Sequence, residues 1–177
     1  MSKLHPQTLA IRASKEQTPF NEHQQALFLT SSFMADSAAD AAAIFAKTKE
    51  GYTYSRTANP TIAAFQKRIA ALENAEAGIA TATGMAAIQA ALLTFLSAGD
   101  HLVSSRSLFG TTAGLLSGHI ARFGIEITFV SQTDVSEWEK AIRPNTKMLF
   151  LETPSNPLNE VADLEKLAKL AHDNGAL

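Results

Sequence analysis

The 177-residue sequence contains no cysteine, which removes disulfides, thiolate zinc sites and a cysteine nucleophile together. It has no excess of one charge: the net charge is -2 with both signs interspersed. No basic stripe is present, so a nucleic-acid partner has no electrostatic support. It has no long apolar run. The longest, around Met85 to Leu96, contains Gln89 and Thr94 and falls short of the roughly 20 residues that span a bilayer. The start, Met1-Ser-Lys-Leu-His-Pro6, lacks the apolar core of a signal peptide. His5, His23, His101, His119 and His172 show no metal-ligand spacing, and a surface or capping role is expected for each. What remains is 46% hydrophobic and 18% charged, a composition that suits a globular domain with its own core, here expected to be a soluble cytoplasmic protein.

Residues 1–34 carry only short apolar patches, Thr8–Arg12 and Ala26–Leu29, and predict an extended arm. Asp36 to Lys47 is alanine-rich and predicts a helix capped by Asp36 or Ser37. Asn59-Pro60 opens another, since asparagine is a good N-cap and proline fits the first turn. Ile62, Phe65, Ile69 and Leu72 would form its apolar face. From residue 77 short apolar runs alternate with helical patterns. Strands are predicted at 77–82, 101–105, 125–130 and 147–152, and helices at 84–97, 110–123, 134–143 and 162–174. Gly99 and Gly124 stand at helix-to-strand joints, where glycine can take a positive φ. Gly175 suits the last C-cap, and Ala176-Leu177 reads as the first step of a further strand. Nearly continuous apolar strands alternating with helices predict an α/β fold with a mostly parallel sheet flanked by helices.

Four segments hold chemistry, each with a plainer alternative. Arg56 offers a planar fork of donors to a phosphate, and Tyr54 a hydroxyl on the same side if the backbone is extended. The same residues suit an exposed loop, which spacing alone favours. Gly84 and Met85, between a strand and a helix, would present free amides to an anion, or merely pack a turn. Phe109 closes a strand and opens a helix, where its ring would stack on a flat ligand or fill the core. Glu152-Thr-Pro-Ser-Asn156-Pro157 closes another strand, with Asn156 held between two prolines. A polar group fixed there suits a site better than a turn. Gly114 and Gly118 form a G-x-x-x-G that predicts close helix packing.

Taken in order, Tyr54-Ser-Arg56 with Asn59-Pro60-Thr61, then Thr83–Ala87, then Glu152–Pro157 resemble the Cys/Met-metabolism family of pyridoxal-phosphate (PLP) enzymes. The family includes cystathionine γ-synthase, cystathionine lyases, methionine γ-lyase and the homoserine-ester sulfhydrylases. The likeness runs from Thr8 to Gly175. Ser105–Gly110, Ala121–Ile125 and Arg143–Lys147 bring it nearest the O-succinylhomoserine sulfhydrylase branch.

The resemblance implies the amino-terminal part of a fold-type I PLP-dependent transferase. Residues 1–60 would be an arm and helix serving a neighbouring subunit's site, and 61–177 the first part of the PLP-binding domain. It implies that Tyr54 and Arg56 bind the cofactor phosphate of that neighbour. The amides of Gly84 and Met85 would bind the phosphate of their own subunit, Phe109 would stack on the pyridine ring, and Asn156 would bond its 3-oxygen. Many members have tyrosine where Phe109 stands, so here stacking remains without the hydroxyl. The nine lysines lie outside any matching motif. The Schiff-base lysine and the aspartate for the pyridine nitrogen are expected beyond Leu177, which makes the chain look like an amino-terminal portion. The implied activity is γ-replacement on an activated homoserine ester with sulfide, giving homocysteine for methionine biosynthesis, in a homotetramer built from dimers. Cystathionine γ-synthase and γ-lyase activities are the alternatives, and a non-catalytic fragment of the same fold is the alternative of another class.

Overall fold

A computed structural model of the protein describes residues 4–14 and 18–177. It divides into two compact units, one ending at Ala80 and the other running from Thr81 to Leu177.

The first unit holds helices α1 (Pro6–Arg12), α2 (Ala38–Phe45) and α3 (Pro60–Leu72). The arm expected to be extended begins with α1, whose seven residues are too few to display a helical period. Pro6 sits in its first turn, and the His5 ring accepts from the Gln7 amide at 3.4 Å. Ser37 caps α2 by accepting from Asp40 at 3.1 Å. Helix α3 groups with α1 because Arg68 donates twice to the buried Ser14 hydroxyl, at 3.1 and 2.8 Å. Its buried side is Pro60, Ala64 and Ala70. The expected apolar face is the exposed one, with Phe65 at 56% exposure and Ile62, Ile69 and Leu72 near 40%. Periodicity marks an apolar stripe but not what covers it, and small residues let α1 approach the other side.

The second unit is an α/β layer. Helix α4 (Gly84–Phe95) precedes strand β1 (His101–Ser105), α5 (Gly110–Gly114) precedes β2 (Glu126–Val130), and α6 (Val135–Ala141) precedes β3 (Thr146–Phe150). Helix α7 (Leu164–Asp173) follows. All pairings are parallel, in the order β2-β1-β3. The backbone of Leu177 donates to Lys147 O at 2.9 Å and accepts from Leu149 at 2.8 Å. That is the bonding pattern of a parallel neighbour to β3, as expected for a further strand. Residues 77–82 join no ladder, and Ile79 is 88% exposed. Apolar content makes a strand only where a neighbour offers its edge. The helix expected over 110–123 changes winding, passing from α5 to a π-helical turn at Leu115–Ile120 and a 3-10 turn at Ala121–Phe123. Gly114 and Gly118 stand open, with nothing within 4 Å of an added Cβ, so they do not serve close packing. Gly99 and Gly124 do take positive φ, 90° and 80°. No helix among the described residues is long and apolar enough to cross a membrane.

Both sheet faces are covered. Leu102 points into a cluster with Leu92, Leu96, Leu116 and Ile120, from α4 and the helix that starts with α5. Val103 points the other way, among Trp138 of α6 and Leu167 of α7. Trp138, the one tryptophan, is fully buried and donates its indole N–H to Ser131 O at 2.7 Å. Strand β1 is buried along all five residues.

His101 is a correction: it is neither on the surface nor a cap but fully buried at the start of β1. Its Nδ1 meets the Thr146 hydroxyl at 2.8 Å and its Nε2 the Thr128 hydroxyl at 2.9 Å. Arg143 donates to both threonines, through its guanidinium to Thr128 and its amide to Thr146. Burial holds the ring below its ordinary value of 6.5, and the Arg143 charge adds to this, against a smaller opposing effect of Glu126. The folded ring therefore resists a proton that the unfolded chain accepts, and the unfolded state binds more protons below pH 6.5. Stability should fall as pH drops below that value. His101→Gln should flatten this acid limb, read as the urea midpoint at successive pH values; an equally steep limb in the variant would place the titration elsewhere.

Candidate functional site

The carboxyl edge of a parallel sheet collects the loops that follow its strands, and Phe109 and Asn156 stand on the loops that follow β1 and β3. Thr83 caps α4, its hydroxyl accepting from Ala86 at 3.1 Å and its carbonyl from Ala87 at 3.1 Å. The amides of Gly84 and Met85 have no partner among the described residues, as the geometry of a first helical turn requires. Nothing lies within 4 Å of where a Gly84 Cβ would stand. This twelve-residue helix thus opens on free N–H groups at its positive end, with room for an anion. The Thr112 hydroxyl of α5 reaches the Met85 sulfur at 4.0 Å, which sets the start of α4 beside the helix that Phe109 opens.

Phe109 is 46% exposed, so it is not core. Its amide donates to the Glu152 carboxylate at 2.9 Å. One side chain at the end of β3 therefore fixes the backbone that aims the ring. Asn156 is exposed and shares the walls of one groove with Arg106, Ser107, Leu108 and Glu160. The expected loop between two prolines is present, with Thr153-Pro154 and Asn156-Pro157 both cis.

Beneath these groups runs a buried polar chain that sequence reasoning missed. Gln132, 1% exposed, donates to Glu152 O and to Glu160 O, both at 2.8 Å. Its carbonyl accepts from the Ser105 hydroxyl at 2.9 Å. Ser105 in turn accepts from the Ser107 amide at 2.9 Å, and the Ser107 hydroxyl donates to the Glu160 carboxylate at 2.5 Å. Gln132 stands in Ser131-Gln-Thr-Asp134, a stretch that reads as an ordinary polar loop. Glu152 is visible in its motif, but nothing in the sequence couples it to Phe109.

Tyr54 and Arg56 lie in the first unit. The segment is not extended, as the shared direction of the two side chains was expected to require. Thr57 and Ala58 both donate to Tyr54 O, at 2.9 and 3.1 Å, which makes a turn. The Arg56 guanidinium folds over the Tyr54 ring, 5.5 Å from its centroid, a cation–π contact. Both side chains are exposed. The neighbouring Asn59-Pro60-Thr61 is a clamp. Asn59 accepts from the Thr61 amide at 2.8 Å and donates to Phe28 O and to the Ser55 hydroxyl, both at 3.0 Å. The Thr61 hydroxyl accepts from Phe28 at 2.9 Å. Asn59→Ala should remove a cap and two further bonds, a loss of about 1–2 kcal/mol. Amide exchange at Phe28 and Phe33 should speed up accordingly; unchanged exchange would show that the arm is held elsewhere.

Comparison with known proteins shows the family. Residues 7–177 match the family described as Cys/Met metabolism PLP-dependent enzyme. The chain is 51% identical to O-succinylhomoserine sulfhydrylase of Pseudomonas aeruginosa, over 96% of this chain and 42% of that protein. It is 42% identical to L-methionine gamma-lyase of Fusobacterium nucleatum, over 94% of this chain and 42% of that one. It superposes with a TM-score of 0.90 and 31% identity on a Campylobacter jejuni protein assigned as an O-acetylhomoserine (thiol)-lyase, which carries a pyridoxyl-lysine phosphate. That match covers 99% of this chain and 43% of the other. The chain thus spans about 42% of the length of the curated relatives it matches.

Proposed function

The chain belongs to the Cys/Met-metabolism PLP-dependent enzymes, and from that premise we propose that it supplies the phosphate- and ring-binding part of a site for γ-replacement on O-succinylhomoserine. Sulfide would displace succinate to give homocysteine. The observation that supports this most is the open start of α4 beside the helix that the exposed Phe109 opens, in a chain 51% identical to a sulfhydrylase.

The residues present fit the cofactor. The Gly84 and Met85 amides bind the phosphate, with the absent Cβ of Gly84 leaving space for it. Phe109 covers one face of the ring. It has no ionisable group, so it moves no proton. Asn156 donates to an oxygen at the ring edge. Tyr54 and Arg56 bind the phosphate held by a neighbouring subunit, a fork-shaped cation being suited to that anion. Bound PLP supplies an electron sink for bond breaking beside the amino acid's α-carbon.

A second reading, methionine γ-elimination, is favoured by the 42% identity to L-methionine gamma-lyase. Steady-state rates of the protein at its natural length separate the two, with succinyl- and acetyl-homoserine tested against sulfide and cysteine, and methionine tested alone. The first reading expects fastest turnover with the succinyl ester and sulfide; methionine as the best substrate would replace it with the second. Arg56→Ala should weaken PLP retention by about 1.5–3 kcal/mol, the value of a charge-assisted contact. Mixed with a variant disabled in its Schiff-base lysine, it should regain some activity through hybrid sites, and no recovery in proven hybrids would confine the site to one subunit. Phe109→Leu should lower PLP affinity and leave the melting temperature of the cofactor-free protein nearly unchanged, because the ring is half exposed. A lower melting temperature with unaltered affinity would make Phe109 a packing residue.

A further inference from the structure

We propose that Gln132 is a positioning residue for the cofactor ring, acting through Asn156 and the loop that carries it; this rests on the reading of the site as a PLP site. The loop leaves β3 at Glu152 and returns at Glu160, and Asn156 stands near its middle. Gln132 donates one N–H to the carbonyl at each end, both at 2.8 Å. The two ends of the loop are thereby closed on a single side chain that belongs to neither.

Inside the loop, Ser155 is 1% exposed and continues the closure. Its hydroxyl accepts from Glu160 N at 3.0 Å, its amide donates to Glu160 O at 3.0 Å, and its carbonyl accepts from Asn159 at 2.8 Å. The residue before Asn156 is therefore anchored, while the Asn156 side chain is left exposed. Gln132 is anchored in turn. Its carbonyl can accept from Ser105 only in the orientation that aims both amide hydrogens at the loop. Ser105 also fixes the Ser107 amide, two residues before Phe109. One buried amide thus relates the loop that bears Asn156 to the segment that bears Phe109. A leucine of similar size would fill the space but leave two part-buried carbonyls and the buried Ser105 hydroxyl without these bonds.

The test uses the protein at its natural length, stripped of cofactor and titrated with PLP, with binding followed by visible absorbance. Gln132→Leu should raise the PLP dissociation constant about five- to tenfold. In an Asn156→Ala background the same substitution should have little further effect, because its influence runs through Asn156. Ser105→Ala, a smaller change that removes the bond orienting Gln132, should raise the constant two- to fourfold with the same dependence on Asn156, and decides the matter if Gln132→Leu does not fold. Unchanged affinity in a folded variant, or losses that add in full to that of Asn156→Ala, would overturn the proposal while the PLP reading stands. Absence of PLP binding by the unaltered protein would overturn the reading and the proposal with it.

Discussion

A central parallel strand buried over its whole length must satisfy every polar group it carries, and β1 carries His101 at one end and Ser104 and Ser105 at the other, the Ser104 hydroxyl donating to Ser105 O. Leu102 and Val103 divide the core between the two faces, as a strand with helices above and below requires. His101 and Ser105 then have no water to turn to. Buried polar groups without partners cost about 1–3 kcal/mol each, so the neighbouring strands provide them. Thr128 and Thr146 meet His101 at the amino edge, and Gln132 meets Ser105 at the carboxyl edge. From the second of these partnerships the loops of the site take their places.

The two edges divide the labour. The amino edge is a closed polar knot with Arg143 and Glu126 on its outside, paired at 2.6 Å. On the proposed reading, the carboxyl edge offers a ligand the first amides of α4, the half-exposed ring of Phe109 and the exposed side chain of Asn156. Around them, carboxylates hold neighbouring segments: Glu152 accepts from the Phe109 amide and Glu160 from the Ser107 hydroxyl. This is consistent with the chemistry of the family, in which the cofactor supplies the reactive group and the protein its placement.

The order of elements from α4 onward was legible because alternating strands and helices with glycines at the joints admit few arrangements. Asn59 and Ser37 could be expected as caps because their side chains accept from amides of the first turn. Other features depend on partners that sequence does not name. Residues 77–82 are apolar enough for a strand but pair with nothing described. The stripe of Ile62, Phe65, Ile69 and Leu72 is real, yet α3 buries its alanines instead. His101 resembled four other scattered histidines until its threonines were placed, since they lie 27 and 45 residues away. Gln132 was illegible for the same reason: a glutamine in a polar loop becomes a structural amide only when three distant segments meet it. The roles proposed for Tyr54 and Arg56 rest on a motif in order, since spacing alone favours an exposed loop, whereas Asn156 also carries a local signal in its two flanking prolines.

The threonine pair around His101 also settles a matter of alignment. Parallel strands covered on both faces are apolar on both sides, so sliding one past its neighbour by a residue exchanges one buried aliphatic group for another at modest cost. The β1–β3 pairing already tolerates a step between His101 and Leu102, where Lys147 is passed over. A slip of β1 against β2 would separate the imidazole from Thr128 and Ser105 from Gln132 at the same time, and a slip against β3 would cost it Thr146. The polar ends of the strand therefore act as registration marks, and they exclude misaligned sheets that its apolar middle alone would permit.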